Sequence, residues 1–291
     1  MELGSVISTT VETLKSRLVG LIGIWLAFFV LQIVFMLIFF SVVGLGGLAA
    51  GAAMGGLDDP SSAGALGLGM GMIGGLFLFY LLYIAIYCAQ NLSMAHYASP
   101  LVSQDIGESF GVGFRGMLTM LGVFVLFIVA YIAVVIVFGI LGAILGAILG
   151  EAAALVLGLI AMPAIIYLAC RLILIWPVVA VDGIKNPVTA ISRTWYLSGG
   201  NVLTIFLGMV VYAIAAIIVF GIAIMGFFGV IEGFQQAALA GEGPPMGGIV
   251  AMVLVFGLLG LAFGAAGSAL FSAMHSKITD TGTENLSETF G

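Results

Sequence analysis

Apolar residues run along this chain in long unbroken blocks, without the strict alternation of a half-buried strand. Six blocks are long enough to carry a helix across roughly 30 Å of hydrocarbon, which takes about 20 residues. They cover 18–43, 70–89, 117–149, 152–181, 202–231 and 248–273. No ten-residue dyad of polar and apolar positions occurs in them, which excludes a transmembrane barrel. The pattern predicts an all-α, polytopic membrane protein with six transmembrane helices. These form a single domain over 1–275, followed by a cytoplasmic C-terminal tail over 276–291. The first block far exceeds a signal-peptide core and lacks a small-residue cleavage flank, so it is expected to remain as a span.

The polar positions between the blocks are sorted by sign. Lys15 and Arg17 precede the first block, and Arg115 lies between the second and third. Lys185 and Arg193 fall between the fourth and fifth, and Lys277 follows the sixth. The three alternate loops carry Asp58, Asp59, Glu151, Glu232 and Glu242 and no basic residue. Lys and Arg near span ends are retained on the cytoplasmic side, so both termini are expected there. Short loops and this charge bias fit a bacterial cytoplasmic (inner) membrane.

A second periodicity precedes each odd-numbered block. Ile7, Val11, Leu14 and Leu18 stand at i, i+4, i+7 and i+11; the offsets recur at Ile106, Phe110, Gly113 and Met117, then at Ile184, Val188, Ile191 and Trp195. Polar residues between them suit amphipathic helices lying in the interface with the stripe in lipid. The alternative is that these segments simply extend the spans. Asp105 with Glu108 has the spacing of a capping box, and Asn186-Pro187 is a good helix start. A threefold repeat of interfacial helix, span, span would also account for the echo of Met94-Ala95-His96 in Ala273-Met274-His275.

Composition narrows the function classes. Hydrophobic residues make up 63% of the 291 and charged ones 7%, against about 25% charged in a soluble domain; a soluble globular enzyme is excluded. Seven basic and thirteen acidic residues give a net charge of -6 with no basic run, so nucleic acid is not a partner. The 43 glycines fall within the apolar blocks. Gly47, Gly51 and Gly55, Gly67, Gly71 and Gly75, and Gly142, Gly146 and Gly150 line single helix faces, suiting close packing within the chain or a homo-oligomer. Cys88 and Cys170, both inside apolar blocks, read as buried thiols.

Catalytic chemistry finds few residues to use. Gly69-Met70-Gly71-Met72-Ile73-Gly74 fits a dinucleotide-binding pattern, but no strand precedes it. Two histidines with no His-x-x-x-His or Cys-x-x-Cys spacing give no metal site, and no cofactor is implied. His96 and His275 read as interfacial residues at span ends, and no catalytic triad or other catalytic residue can be assigned. Asp58-Asp59 with Pro60 reads as an exposed turn. One residue stands out: Arg171 falls inside the fourth block, about 15 Å from its end if the helix is continuous and about 9 Å if Pro177 breaks it. Two readings stay open for it, snorkelling to the headgroups or a specific partner, with Asp182 and the Gln90-Asn91 pair as protein candidates.

The stretch from Arg171 through Pro177 and Asp182 to Asn201 resembles the membrane-domain family fused to some bacterial glycerophosphoryl diester phosphodiesterases, and related six-span proteins of unknown function. In that family an arginine-bearing span leads to a Pro, an acidic residue, a helix of the form A-L-x-x-S-W-x-L-x-x-G-N and another span. Here the block reads Ala190-Ile191-Ser192-Arg193-Thr194-Trp195-Tyr196-Leu197-Ser198-Gly199-Gly200-Asn201. Asp182 replaces the expected Glu, Thr194 the usual Ser, and Gly199 a commonly basic position. The resemblance covers about 30 residues and implies a membrane domain without the phosphodiesterase barrel.

These readings converge on a non-enzymatic membrane protein that binds or organises phospholipid at the cytoplasmic interface. Arg171, Asp182, Lys185 and Arg193 are the candidates for headgroup or ion-pair contacts, and Trp176 and Trp195 for interfacial anchors. A transporter of a small or lipidic solute is the alternative, favoured by Pro163, Pro177 and the repeat. A membrane lipid enzyme fits least. The orientation is tested with single cysteines near Asp58, Glu151 and Glu242 in a background lacking Cys88 and Cys170. All three should react with an impermeant thiol reagent from outside intact cells; labelling only from the cytoplasm reverses the topology.

Overall fold

The computed structural model describes the backbone of residues 1–54, 63–239 and 246–290. Side chains are described for 1–42, 74–153, 155–221, 224, 227–228, 230–233, 247–248, 250 and 254–279. Every described element is a helix: α1 (Leu3–Met54), α2 (Ala63–Ala98), α3 (Ile106–Leu149), α4 (Ala152–Leu172), α5 (Ile175–Val181), α6 (Pro187–Ser198), α7 (Val202–Leu239) and α8 (Met246–Phe290). Six helices are long and apolar enough to cross a membrane. The all-α, multi-pass architecture expected from the hydrophobic blocks is the one observed. The sequence 69–74 lies within α2, with no strand–turn–helix around it.

Of the three repeated stripes, only the third forms a separate helix. α6 starts at Asn186, whose side chain accepts from the backbone of Val188 (2.9 Å) and Thr189 (3.3 Å), with Pro187 in its first turn. It ends where Gly199 and Gly200 interrupt the pattern. Ala190, Thr194, Leu197 and Ser198 form its buried face, and Val188 and Trp195 of the stripe stay exposed. The first two copies run without a break into α1 and α3, because no Pro or glycine pair follows them. Those helices, 52 and 44 residues long, measure about 78 and 66 Å, more than twice the hydrocarbon thickness. The capping spacing is realised in part: Asp105 accepts from the Glu108 backbone at 3.0 Å, while the Glu108 carboxylate instead takes the Ser103 hydroxyl.

The fourth block is interrupted, though not at its prolines. Pro163 sits within α4. The break comes at Ile173 and Leu174, immediately before α5. A proline ring clashes with the carbonyl four residues earlier, and for Pro177 that residue is Ile173.

Packing concentrates at the end of the bundle where α1, α3 and α7 begin and α2, α5 and α8 carry their C-terminal halves. Three apolar clusters lie there, centred on Leu21 and Phe28, on Leu92 and Met120, and on Leu174 and Met274. The predicted C-terminal tail begins inside this region: α8 continues past residue 275, and Ser276 and Ile278 are buried. Toward the other end, Ile132, Ile148, Leu159 and Ile217 face outward. Apolar side chains lose little by facing lipid tails, so helix association relies on small residues and polar contacts.

Among the described residues, the tightest glycine contacts are at positions other than Gly75, Gly142, Gly146 and Gly150 of the expected faces. A Cβ at Gly113 would strike Ser93 and the Ala89 carbonyl, one at Gly20 the Tyr97 ring, and one at Gly208 Met274. Gly113, placed in lipid by the stripe pattern, is thus the point where α3 crosses α2. Gly75 and Gly146 meet nothing within 4 Å, and Gly142 only Leu157. Side chains around Gly47, Gly51, Gly55, Gly67 and Gly71 lie outside the described residues. Gly113→Ala should lower the melting temperature of the purified protein, by the 1–3 kcal/mol or so that overpacking costs. Gly146→Ala should leave it unchanged or slightly raised; equal behaviour of the two would remove the α2–α3 crossing as a determinant.

Candidate functional site

All the basic residues flanking the blocks fall at the packed end. Direct contacts tie its helices together: Thr119 on α3 donates to the Lys185 carbonyl (2.9 Å), and Ser272 on α8 donates to the Ala95 carbonyl of α2 (2.8 Å). Arg17 is drawn inward from α1. It is 9% exposed, and its Nη1 donates to the carbonyls of Tyr97 (2.7 Å) and Ser99 (2.6 Å), closing the C-terminus of α2. The last carbonyls of a helix lack intrahelical donors and carry the negative end of its dipole, so a guanidinium is a fitting cap. Sequence reading counts Arg17 only as a topology signal, and nothing local in the sequence marks it as a cap.

Arg171 is buried, not extended to the surface. It lies in the last turn of α4 and is 8% exposed. Its guanidinium carbon sits 4.1 Å from the centre of the Trp195 ring and 5.7 Å from that of Tyr167. Nη1 donates to the Ser198 hydroxyl at 3.4 Å, and the same hydroxyl lies 3.0 Å from the Arg171 carbonyl. Nε is buried with no hydrogen-bond partner. Among the described residues no carboxylate pairs with it, and neither Asp182 nor Gln90-Asn91 is its partner. Gly199 lies close to this site: a Cβ there would sit 3.0 Å from Nη1 and 3.3 Å from the Tyr196 carbonyl oxygen.

Asp182 instead joins three helices. It caps α5; its Oδ2 accepts from Arg193 Nε of α6 at 3.2 Å, and its Oδ1 lies 3.2 Å from His275 Nε2 of α8. His275 is fully buried, and that contact is within ion-pair range without the alignment of a hydrogen bond. The chain turns out of α5 at Gly183, whose φ of 66° is in the left-handed region. Burial pushes the Asp182 carboxyl upward, but His275 and Arg193 outweigh burial and hold it below the ordinary carboxylate value. His96 is buried as well, 3.0 Å from the Ser109 hydroxyl on α3. Both histidines, expected at the interface, are interior. His96 lies in the last turn of α2, whereas α8 continues past His275 to Phe290.

The remaining candidates separate. Lys185 contributes its backbone carbonyl through Thr119. Trp195 is partly exposed and packs edge-on against Tyr167 at 6.2 Å, as an interfacial aromatic would. Trp176 is half-buried between Tyr87 and Phe124, each 6.3 Å away. Beside it, at membrane depth, a cleft of about 650 Å³ opens between α1, α2, α7 and α8. Cys88 and Cys170 are buried and free.

No family model, curated protein or solved structure matches the chain.

The Asp182 contacts carry a sign for pH. A carboxyl whose folded value is depressed stabilises the fold above its unfolded value, about 3.9, and that contribution is lost as pH falls through the lower folded value. Asp182→Asn should therefore lower the melting temperature at pH 7. The gap to the parent protein should close as the pH falls below about 4; a gap independent of pH excludes the carboxylate charge as its origin.

Proposed function

We propose that this protein is a non-enzymatic, multi-pass protein of a bacterial cytoplasmic membrane that binds phospholipid at its basic end, with both termini cytoplasmic. The observation that supports this reading is Arg171: a buried cation, covered by two aromatic rings, with one hydroxyl partner and an unmatched Nε. An isolated buried charge costs several kcal/mol, and an unsatisfied buried donor points to a missing anion or water. At an interface rich in lipid phosphates the available anion is a headgroup, which a guanidinium grips through two parallel donors. Trp195, partly exposed beside the guanidinium, suits an interfacial aromatic, and the block from Arg171 to Asn201 is the part that resembles the phosphodiesterase-linked membrane domain.

A carrier of an uncharged solute is the second reading, favoured by the interrupted fourth span and the cleft beside Trp176. Discontinuous helices and midplane cavities are features of carriers. Solute flux in proteoliposomes, absent in empty vesicles, would move the assignment there.

The phospholipid reading is tested by native mass spectrometry of the protein released from vesicles containing phosphatidylglycerol. Arg171→Lys keeps the charge and loses the planar fork, so retained phospholipid should fall about tenfold, the worth of one charge-assisted hydrogen bond. Arg193→Lys, whose single contact is partly exposed, should retain as much as the parent protein. A fall in melting temperature for Arg171→Lys with undiminished lipid would make Arg171 a structural residue only.

A further inference from the structure

We infer that the cleft between α1, α2, α7 and α8 is a binding site for an uncharged amphiphile with a hydroxyl-bearing head, drawn from the bilayer. This site is separate from Arg171 and stands on different observations. Its volume, about 650 Å³, is that of an ordinary small-molecule pocket. It is lined at membrane depth by Trp25, Phe29, Tyr83, Trp176, Tyr212 and Phe271, among others, and none of the described lining residues is charged. An ion would enter without a counter-charge, at a cost no neutral contact here offsets. The occupant is therefore neutral.

The polar groups say what kind of neutral molecule. Gln90 is 6% exposed and lines the cleft; Gln32 Nε2 donates to its Oε1 at 2.9 Å. Whichever way the two amides are turned, their mutual bond uses one donor and one acceptor. One carbonyl oxygen and one NH₂ group remain, without protein partners among the described residues. Asn91, whose amide donates to the Tyr87 carbonyl at 2.8 Å, adds an acceptor. In hydrocarbon such groups need a partner, and a hydroxyl both donates and accepts. Tyr87 and Phe256 line the cleft and are 46% and 44% exposed at membrane depth, so its mouth faces lipid tails.

The floor is kept open by glycine. Gly257, Gly260, Gly264 and Gly267 follow one face of α8, and Trp25 and Phe29 of α1 lie across from the first three. A Cβ at Gly260 would rest 3.5 Å from Trp25 in ordinary contact, and one at Gly264 3.5 Å from Met94. Backbone clash therefore does not demand glycine at these two positions; side chains there would fill the cleft. This contrasts with Gly113, where helix crossing forbids a side chain.

The test uses the full chain in phosphatidylcholine nanodiscs with a diazirine-bearing dioctanoylglycerol, crosslinks being mapped by mass spectrometry. Labelling should concentrate on Tyr83, Tyr87 and 256–271. Unlabelled dioctanoylglycerol should compete, and dioctanoyl phosphatidylglycerol, with the same chains and a charged head, should not. Gly260→Leu should abolish the labelling while Gly146→Leu, in open space on α3, retains it. Because a leucine could disturb folding, Gln32→Leu/Gln90→Leu provides a second arm. It keeps the shape and should cut labelling about tenfold, the worth of one or two hydrogen bonds. Labelling spread along the lipid-facing side of α3, unchanged in these variants, would overturn the site. Equal competition by phosphatidylglycerol would overturn the neutral occupant, and neither result bears on phospholipid retention at Arg171.

Discussion

At the packed end of this bundle, polar groups leave water without gaining a hydrophobic driving force in return, so each has to be matched inside the protein. Arg17 meets the carbonyls that end α2, Ser272 the Ala95 carbonyl, Thr119 the Lys185 carbonyl, and Asp182 both Arg193 and His275. These contacts link elements far apart in sequence, and the apolar clusters fill the space between them. The opposite halves of the spans are rich in exposed Ile, Leu and Val, which lipid can solvate as well as protein can. The asymmetry of the fold follows from where the hydrogen-bonding side chains are.

Against that background Arg171 and Arg17 make an instructive pair. Both are guanidinium groups near helix C-termini, and both are nine-tenths or more buried. Arg17 has two short bonds to carbonyl oxygens; Arg171 has one long bond to a hydroxyl, two ring faces and an unmatched Nε. Cation–π contact contributes about 0.5–2 kcal/mol, less than full pairing of a desolvated cation requires. Of the two, Arg171 is the one with a buried donor left unmatched among the described residues.

The parts of this structure that depend on one segment at a time were legible in the sequence. Six spans follow from block length, the start of α6 from Asn186-Pro187, and its exposed stripe from Val188 and Trp195. Features that depend on two segments meeting were not. Glycine spacing on one helix indicates that close approach is possible, but not with which neighbour, so the spacing marked Gly142 and Gly146 and left Gly113 in the lipid-facing stripe. A histidine near a span end carries no mark of being turned inward, and Asp182 selects Arg193 and His275 over Arg171 only through the path of the chain at Gly183. The cleft was invisible for the same reason: Gln32, Gln90 and the α8 glycines are separated by up to most of the chain and are ordinary residues one by one.

A single local interruption serves both candidate sites. The chain breaks four residues ahead of Pro177, where the proline ring crowds the Ile173 carbonyl: α4 stops at Leu172 and the chain restarts as α5. Upstream, the stop leaves Arg171 in the last turn of α4, where its side chain can fold under Trp195 of α6 and its charge favours the helix end. Downstream, the restart places Trp176 against Tyr87 at the cleft and Asp182 within reach of α6 and α8. A continuous fourth helix would fix the rotation of Trp176 relative to Arg171 at 100° per residue, setting both by one phase. The break frees the two phases from each other, which lets one span place a cation under Trp195 and an aromatic ring beside the cleft.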